Sequence, residues 1–260
     1  MRQPFDLTTA TAEQLVAEVH RRQWFYRFDL PDGSATEPYV AEPVRPIHDT
    51  RLAMVRSVLE PLLLAGPLSA LDMASHQGWF SSHLRQMGCA PVTGFEPRDS
   101  HVADARLITR ALGLDQVEFI QTDLAGLEKS AVQPADIVLC MGLIYHLQDP
   151  IAAIRAAYKY CRKVCLIETQ VGPHLGGMLD WGNYEFVRPI KGCFSIIDET
   201  EETHAGEAAI EGICLAPSTE TLLWIMHKVG FRDVALVPVP EDGYEQLRHG
   251  KRVMAVGWVS

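Results

Sequence analysis

Lysine is absent ahead of Lys129, so every fixed positive side chain before it is an arginine. Basic charge is in deficit overall: 33 Asp and Glu face 23 Lys and Arg, a net charge of −10. A protein whose main partner is a phosphate backbone is disfavoured by that balance. Cysteine is scarce, six in 260 residues, which excludes a disulfide scaffold and points to a reducing cytoplasm. Long apolar runs are missing as well. The longest, Ile137 to Tyr145, is nine residues and too short to span a bilayer. The opening Met1-Arg2-Gln3-Pro4-Phe5-Asp6 lacks the apolar stretch of a signal peptide, so a cytoplasmic protein without a membrane partner is expected. Repeats and low-complexity tracts are also absent. Apolar residues make up 47% of the chain, enough for a sizeable core and too many for a disordered one.

What is present falls into two rhythms. Residues 1–66 read as a helical and aromatic arm. Thr11-Ala12-Glu13-Gln14 predicts a capping box that opens a helix carrying Leu15, Val16 and Val19 on one face. Trp24-Phe25-Tyr26-Arg27-Phe28-Asp29-Leu30 predicts an aromatic strand ending in the turn Pro31-Asp32-Gly33. Pro38 to Pro46 reads as an extended link, after which Asp49 or Thr50 caps a second helix.

From residue 67 onward short apolar runs alternate with helical patterns. Leu68–Met73, Val92–Glu96, Val117–Gln121, Asp136–Met141 and Val164–Thr169 are the expected strands. Asp149-Pro150 is a strong helix start, a capping oxygen followed by proline at the first helical position. Such alternation means a mostly parallel sheet covered by helices on both faces. Residues 172–216 break the rhythm and read as an irregular cover inserted after the fifth strand. Two further strands, Val234–Val239 and Arg252–Val259, follow a helix capped by Ser218. The short link before the last strand permits an antiparallel pairing there.

Ligands of open α/β sheets sit at the carboxyl ends of strands. The first strand ends Leu71-Asp72-Met73-Ala74-Ser75-His76-Gln77-Gly78, a small-residue turn that lets a ligand approach the backbone. Glu96, in Gly94-Phe95-Glu96-Pro97-Arg98, ends the second strand and is placed to accept two ribose hydroxyls. Asp123, in Gln121-Thr122-Asp123-Leu124, follows the third and is placed to accept from an adenine amino group. Each has a plainer reading: Asp72 satisfying turn amides, Glu96 a solvated loop acid, Asp123 a helix cap.

These ordered motifs resemble the Rossmann-like, S-adenosylmethionine-dependent methyltransferases of class I. The resemblance covers roughly residues 68–170, with a weaker echo in the last two strands. It implies an α/β fold, a Rossmann-like seven-stranded mostly parallel sheet with helices on both faces, and S-adenosylmethionine as cofactor. The family's loop reads Asp/Glu-x-Gly-x-Gly-x-Gly; here Ala74 and His76 replace its first two glycines and Gly78 remains. The run Asp136-Ile137-Val138-Leu139-Cys140-Met141-Gly142-Leu143-Ile144-Tyr145-His146 is similar to the tRNA wobble-uridine carboxymethyltransferase subgroup. By that resemblance Met141 and Tyr145 line the methionine end of the cofactor, and Asp72, Ala74, Gly78, Glu96, Asp123 and Leu124 hold the rest. The subgroup keeps a lysine upstream of the first strand; this chain has none, so ordinary S-adenosylmethionine is expected.

His146 is the candidate catalytic base for a hydroxyl acceptor, or else a residue that packs the next helix. No metal site is expected, because Cys161 and Cys165 lack a second ligand pair, and His204 with Glu201, Glu202 and Glu207 reads as a solvated acidic loop. His174, Trp181, Tyr184 and Arg188 are substrate-wall or interface candidates. The resulting expectation is a methyltransferase acting on a small-molecule hydroxyl, thiol or carboxylate, with residues 67–260 as its catalytic domain and a homodimer as its possible assembly. Nucleic acid is the less favoured partner. A tRNA-modifying enzyme and a non-catalytic adenosyl-ligand-binding protein are the alternatives.

Overall fold

A computed structural model describes residues 5–180, 187–199 and 212–259. The chain forms two compact units, residues 1–133 and 134–260.

In the first unit the capping box is formed as expected. The Thr11 side chain accepts from Gln14 N–H, the Gln14 side chain accepts from Thr11 N–H, and α1 runs Ala12–Val19. The aromatic segment that follows is not a strand. It makes only isolated bridges, Trp24 with Pro38 and Asp29 with Ala35, because Pro38 interrupts the partner run and offers no N–H for a ladder. Burial holds it instead: Trp24, Tyr26, Phe28 and Leu30 alternate inward and are at most 8% exposed. The Trp24 indole donates to the Val19 carbonyl and the Trp79 indole to the Arg27 carbonyl. The second helix, α2, also starts earlier than its capping residues suggested. It spans Pro46–Leu63, with proline in the first turn and no side-chain cap.

Then come β1 (Ala70–Met73), α3 (Trp79–Gln86), β2 (Val92–Glu96), α4 (Asp99–Ala111) and β3 (Val117–Gln121). β1 pairs with β2 and β2 with β3, both parallel. Val102 and Ala105 of α4 pack with Phe119 of β3 to form a buried cluster.

The second unit holds β4 (Ala135–Met141), α5 (Pro150–Lys159) and β5 (Cys161–Gln170), with the Asp149 side chain capping Ala152 N–H as its Asp-Pro signal requires. The region expected to be irregular contains two small antiparallel pairs, β6 (Gly177–Asp180) with β7 (Val187–Ile190) and β8 (Phe194–Asp198) with β9 (Ile213–Pro217). α6 (Thr219–Val229), β10 (Arg232–Leu236), the short α7 (Glu245–Arg248) and β11 (Arg252–Trp258) complete the unit.

Seven strands form one sheet in the order β10-β11-β5-β4-β1-β2-β3. β11 is antiparallel to both β5 and β10, the edge arrangement that the short final link allows. The order reverses at β1, which makes its carboxyl end the place to look for a ligand. Among the described residues no helix is long and apolar enough to cross a membrane.

Candidate active site

The turn after β1 has three residues in the left-handed region: Ala74 at φ 55°, His76 at φ 51° and Gly78 at φ 79°. These are the three glycine places of the resembled loop. The backbone therefore keeps the glycine-type path although two of its residues carry a Cβ. Such φ values cost non-glycine residues energy and collect at functional sites. Gly78 has no substitute, since a Cβ there would come within 2.8 Å of the Phe119 ring.

Glu96 faces this turn from the end of β2 and is 3% exposed. Its carboxylate accepts the His76 N–H at 3.1 Å and the Arg98 N–H at 3.2 Å, and it lies 3.6 Å from both Arg98 Nε and His101 Nδ1. Burial would raise its pKa, but the His101 hydrogen bond and the Arg98 charge outweigh it and hold the group below the usual glutamate range. An ionised carboxylate thus stands at the strand end where a ribose needs one. The His76 ring packs on His101 at 4.0 Å and on Phe25 at 5.2 Å, so the arm also reaches the turn. The Ser75 hydroxyl, in the same turn, is buried and has no hydrogen-bond partner among the described residues. An orphaned donor beside an ionised carboxylate and a left-handed loop fits an adenosyl cofactor.

Asp72 points inward. Its carboxyl is 1% exposed and accepts the Ser81 hydroxyl of α3 at 2.7 Å. Burial drives its pKa up to about 7, against the lowering effect of the Ser81 bonds. Asp123 is exposed and accepts Gly126 N–H at 2.7 Å, which closes a turn; it caps no helix, since the 3-10 turn Leu127–Lys129 begins at Gly126 without a side-chain cap, and Leu124 beside it is half-buried. A cavity of about 380 Å³ in this unit is lined by Phe28, Leu52, Trp79 and His83 among others, and none of these strand-end residues lines it.

In the second unit Met141 is half-buried at the end of β4. Tyr145 and His146 lie in a single 3-10 turn, Ile144–His146. Tyr145 is 8% exposed; its hydroxyl accepts from Arg252 Nη2 at 2.9 Å, and the guanidinium stacks 4.8 Å from its ring centre. Arg252 Nε donates to Glu168 at 2.7 Å. Glu168 is fully buried, at 0% exposure, and Arg252 is 4% exposed. Desolvation alone would lower the Arg252 pKa, but the Glu168 charge and the two hydrogen-bonded partners push it upward, so the ion pair persists. His146 Nδ1 is 2.7 Å from one oxygen of Glu199 and 2.9 Å from the other.

Sequence reasoning missed three of these groups. Glu168 and Arg252 had a readable signal: Glu168 is the one acid of β5, following the apolar run Val164–Ile167, and Arg252 is the one charge of β11. Glu199 had none: it lies in an acidic run, Asp198 to Glu202, in which nothing in the sequence sets it apart, yet it is 2% exposed. Of the wall candidates, His174 pairs with Glu220 at 2.9 Å on the surface and Arg188 is exposed on β7. Trp181, Tyr184 and the His204 acidic group lie outside the described residues. Cys161 and Cys165 are buried thiols, Cys161 raised to about 12 and Cys165 well above the usual thiol value, both chiefly by burial.

A seven-stranded sheet with this order and an acid at the end of β2 defines the class I S-adenosylmethionine-dependent methyltransferases. Residues 47–236 match the model of the methyltransferase-domain family, and the chain belongs to that family. A ubiquinone biosynthesis O-methyltransferase of Pseudomonas entomophila (strain L48) is 32% identical over 115 residues, 44% of this chain and 48% of that protein. One from Pseudomonas fluorescens (strain Pf0-1) is 30% identical over the same shares. These alignments span about half the length of the curated relatives. Among solved structures, the N-terminal domain of EvdMO1 in the presence of SAH and D-fucose superposes with a TM-score of 0.64 at 18% identity, over 96% of this chain and 95% of that one. The magnesium protoporphyrin IX methyltransferase ChlM of Synechocystis PCC 6803, with bound SAM, gives 0.56 at 13% identity over 100% of both. Both are likenesses of fold.

Proposed function

We propose that the protein transfers a methyl group from S-adenosylmethionine to a small-molecule acceptor. The observation that carries this reading is the turn after β1. It keeps three left-handed residues with only one glycine and has the ionised Glu96 beside it. In this reading Ala74 and Gly78 bring backbone up to the cofactor, Glu96 takes its ribose hydroxyls, and Asp123 and Leu124 border its adenine. Met141 and Tyr145 border its methionine end. Asp72 acts by holding α3 through Ser81. S-adenosylmethionine supplies a methyl carbon already activated on a sulfonium, so the chain's work is to orient the acceptor, exclude water and manage one proton.

The small-molecule acceptor is supported by the net charge of −10 and by the names of the curated relatives, which act in ubiquinone biosynthesis. The tRNA-modifying alternative needs cations along a groove, and acids dominate this chain. Six free cysteines fit a reducing compartment such as the cytoplasm. The test is transfer of labelled methyl to a metabolite extract and to bulk tRNA, with the co-purifying ligand identified by mass spectrometry. Label in the small-molecule fraction is expected. Label in tRNA that falls steeply with added salt would replace this acceptor by the nucleic acid.

A further inference from the structure

We propose that Glu199 is a positioning residue that makes His146 a one-sided general base, and that the acceptor group is therefore a hydroxyl. The proposal rests on the methyl-transfer reading above and names its acceptor chemistry.

The geometry begins with the β8–β9 hairpin. Ile197 pairs with Cys214, and the Glu199 N–H donates to the Gly212 carbonyl at 2.8 Å, so Ile197, Glu199 and Cys214 share one face of it. Asp198 pairs with Ile213 on the opposite face, where Ile196 is 79% and Ile213 55% exposed. The hairpin is tied to the turn that carries His146 by a backbone bond, Leu215 N–H to the Leu147 carbonyl at 3.0 Å. The face carrying Glu199 thereby meets the imidazole, and the carboxylate side chain is 1% exposed against 21% for His146. The Cys214 thiol donates to Glu199 Oε2 at 3.5 Å; burial, with the carboxylate charge, pushes its pKa up to about 11, so it stays a donor. Among the described residues, the Tyr145 ring also lies 4.1 Å from His146, with Arg252 over that ring.

A carboxylate only accepts hydrogen bonds. With both its oxygens within reach of Nδ1, the ring proton sits on Nδ1 and the lone pair of the neutral ring is on Nε2. A thiolate or carboxylate acceptor attacks without losing a proton; a hydroxyl must lose one. In the step proposed, the hydroxyl proton passes to Nε2 while an oxygen pair bonds to the methyl carbon and the carbon–sulfur pair leaves on sulfur. The imidazolium is countered by Glu199 until Nε2 returns the proton to water.

Two measurements test this. Nitrogen NMR of the wild-type protein labelled on histidine, with His146 assigned by the His146→Gln variant, is expected to show Nδ1 protonated and Nε2 bare at neutral pH. The opposite tautomer overturns the proposal, with no variant of Glu199 required. Labelled-methyl transfer to a metabolite extract is then followed against pH in Glu199→Gln and Glu199→Asp. For Glu199→Gln the plateau rate should fall about 10- to 100-fold. Its acid limb should move about 1 to 2 pH units lower, because the imidazolium loses its counter-charge. Glu199→Asp should keep the limb, and the label should sit in alkali-stable ethers. An unchanged rate and limb in Glu199→Gln, or label in methyl esters or thioethers, overturns it. Calorimetry separates the two levels: wild type that fails to bind S-adenosylmethionine sinks the methyl-transfer reading itself, whereas normal binding with an indifferent Glu199→Gln sinks only this one.

Discussion

Replacing Arg252 by methionine should destabilise the protein heavily, and more at neutral pH than in acid. Glu168 has 0% exposure, and its described side-chain bonds run to Arg252, at 2.7 and 3.5 Å. Removing the guanidinium leaves a buried carboxylate without its counter-ion and the Tyr145 hydroxyl without its donor. Breaking a buried ion pair from one side costs about 3–5 kcal/mol. The alternative for the stranded carboxylate is to take up a proton, which an apolar site favours. The deficit of Arg252→Met should therefore shrink as pH falls and the carboxyl neutralises. A double variant, Glu168→Met with Arg252→Met, should recover most of the loss, because both charges leave together. Urea unfolding of wild type, both single variants and the double variant at pH 5 and 7.5 closes the cycle. A single substitution that costs less than about 1 kcal/mol, or a double variant whose loss equals the sum of the singles, would refute the reasoning.

Three other outcomes are expected. Glu96→Ala should weaken S-adenosylmethionine binding by about 1.5–3 kcal/mol, the scale of hydrogen bonds to a charged group; titration calorimetry with unaltered affinity would remove Glu96 from the site. Ala74→Gly should raise the melting temperature slightly, since left-handed backbone costs alanine about 1–2 kcal/mol and glycine gives back about 0.4–1 in the unfolded chain; a clear drop in melting temperature would show that the turn gains more from the methyl than it loses. Asp72 has a folded pKa near 7 against 3.8 for an unperturbed aspartate, so the folded state holds the extra proton between those values and stability falls as pH rises through that window. Asp72→Asn should flatten that slope, its advantage over wild type growing by up to about 4 kcal/mol from pH 4 to above 7; chemical denaturation across that range reads it, and parallel pH profiles would contradict it.

Sequence legibility followed the range of the forces involved. β2 and β3 lie where their apolar runs placed them, and the capping box and Asp149-Pro150 opened helices where their local hydrogen bonds required. Those features depend on a few adjacent residues. The aromatic arm failed as a strand because a ladder also needs a partner, and the partner run contains Pro38. The pairs in residues 172–216 escaped notice because they are two-stranded, and exposed apolar residues such as Met178 and Ile196 blur their alternation. Within the site, residues at strand ends could be nominated from order and spacing alone. Glu199 could not, since it reaches His146 from 53 residues away and only tertiary packing distinguishes it from the acids beside it.

The Gln77 amide has a bearing on how the chain is made. Its carbonyl takes the Phe25 N–H, and its nitrogen gives to the Gln23 carbonyl and to Asp104, at separations of 52, 54 and 27 residues. Arg22 meets Asp104 across 82. Because these fastenings lie downstream, the arm has none of them to dock on as it leaves the ribosome. At about 5–20 residues per second it trails exposed for several seconds to a quarter of a minute, with Trp24, Tyr26 and Phe28 in water. The arm is thus made well before the residues that seat it in its unit. Its aromatic face is a natural target for holding chaperones during that interval.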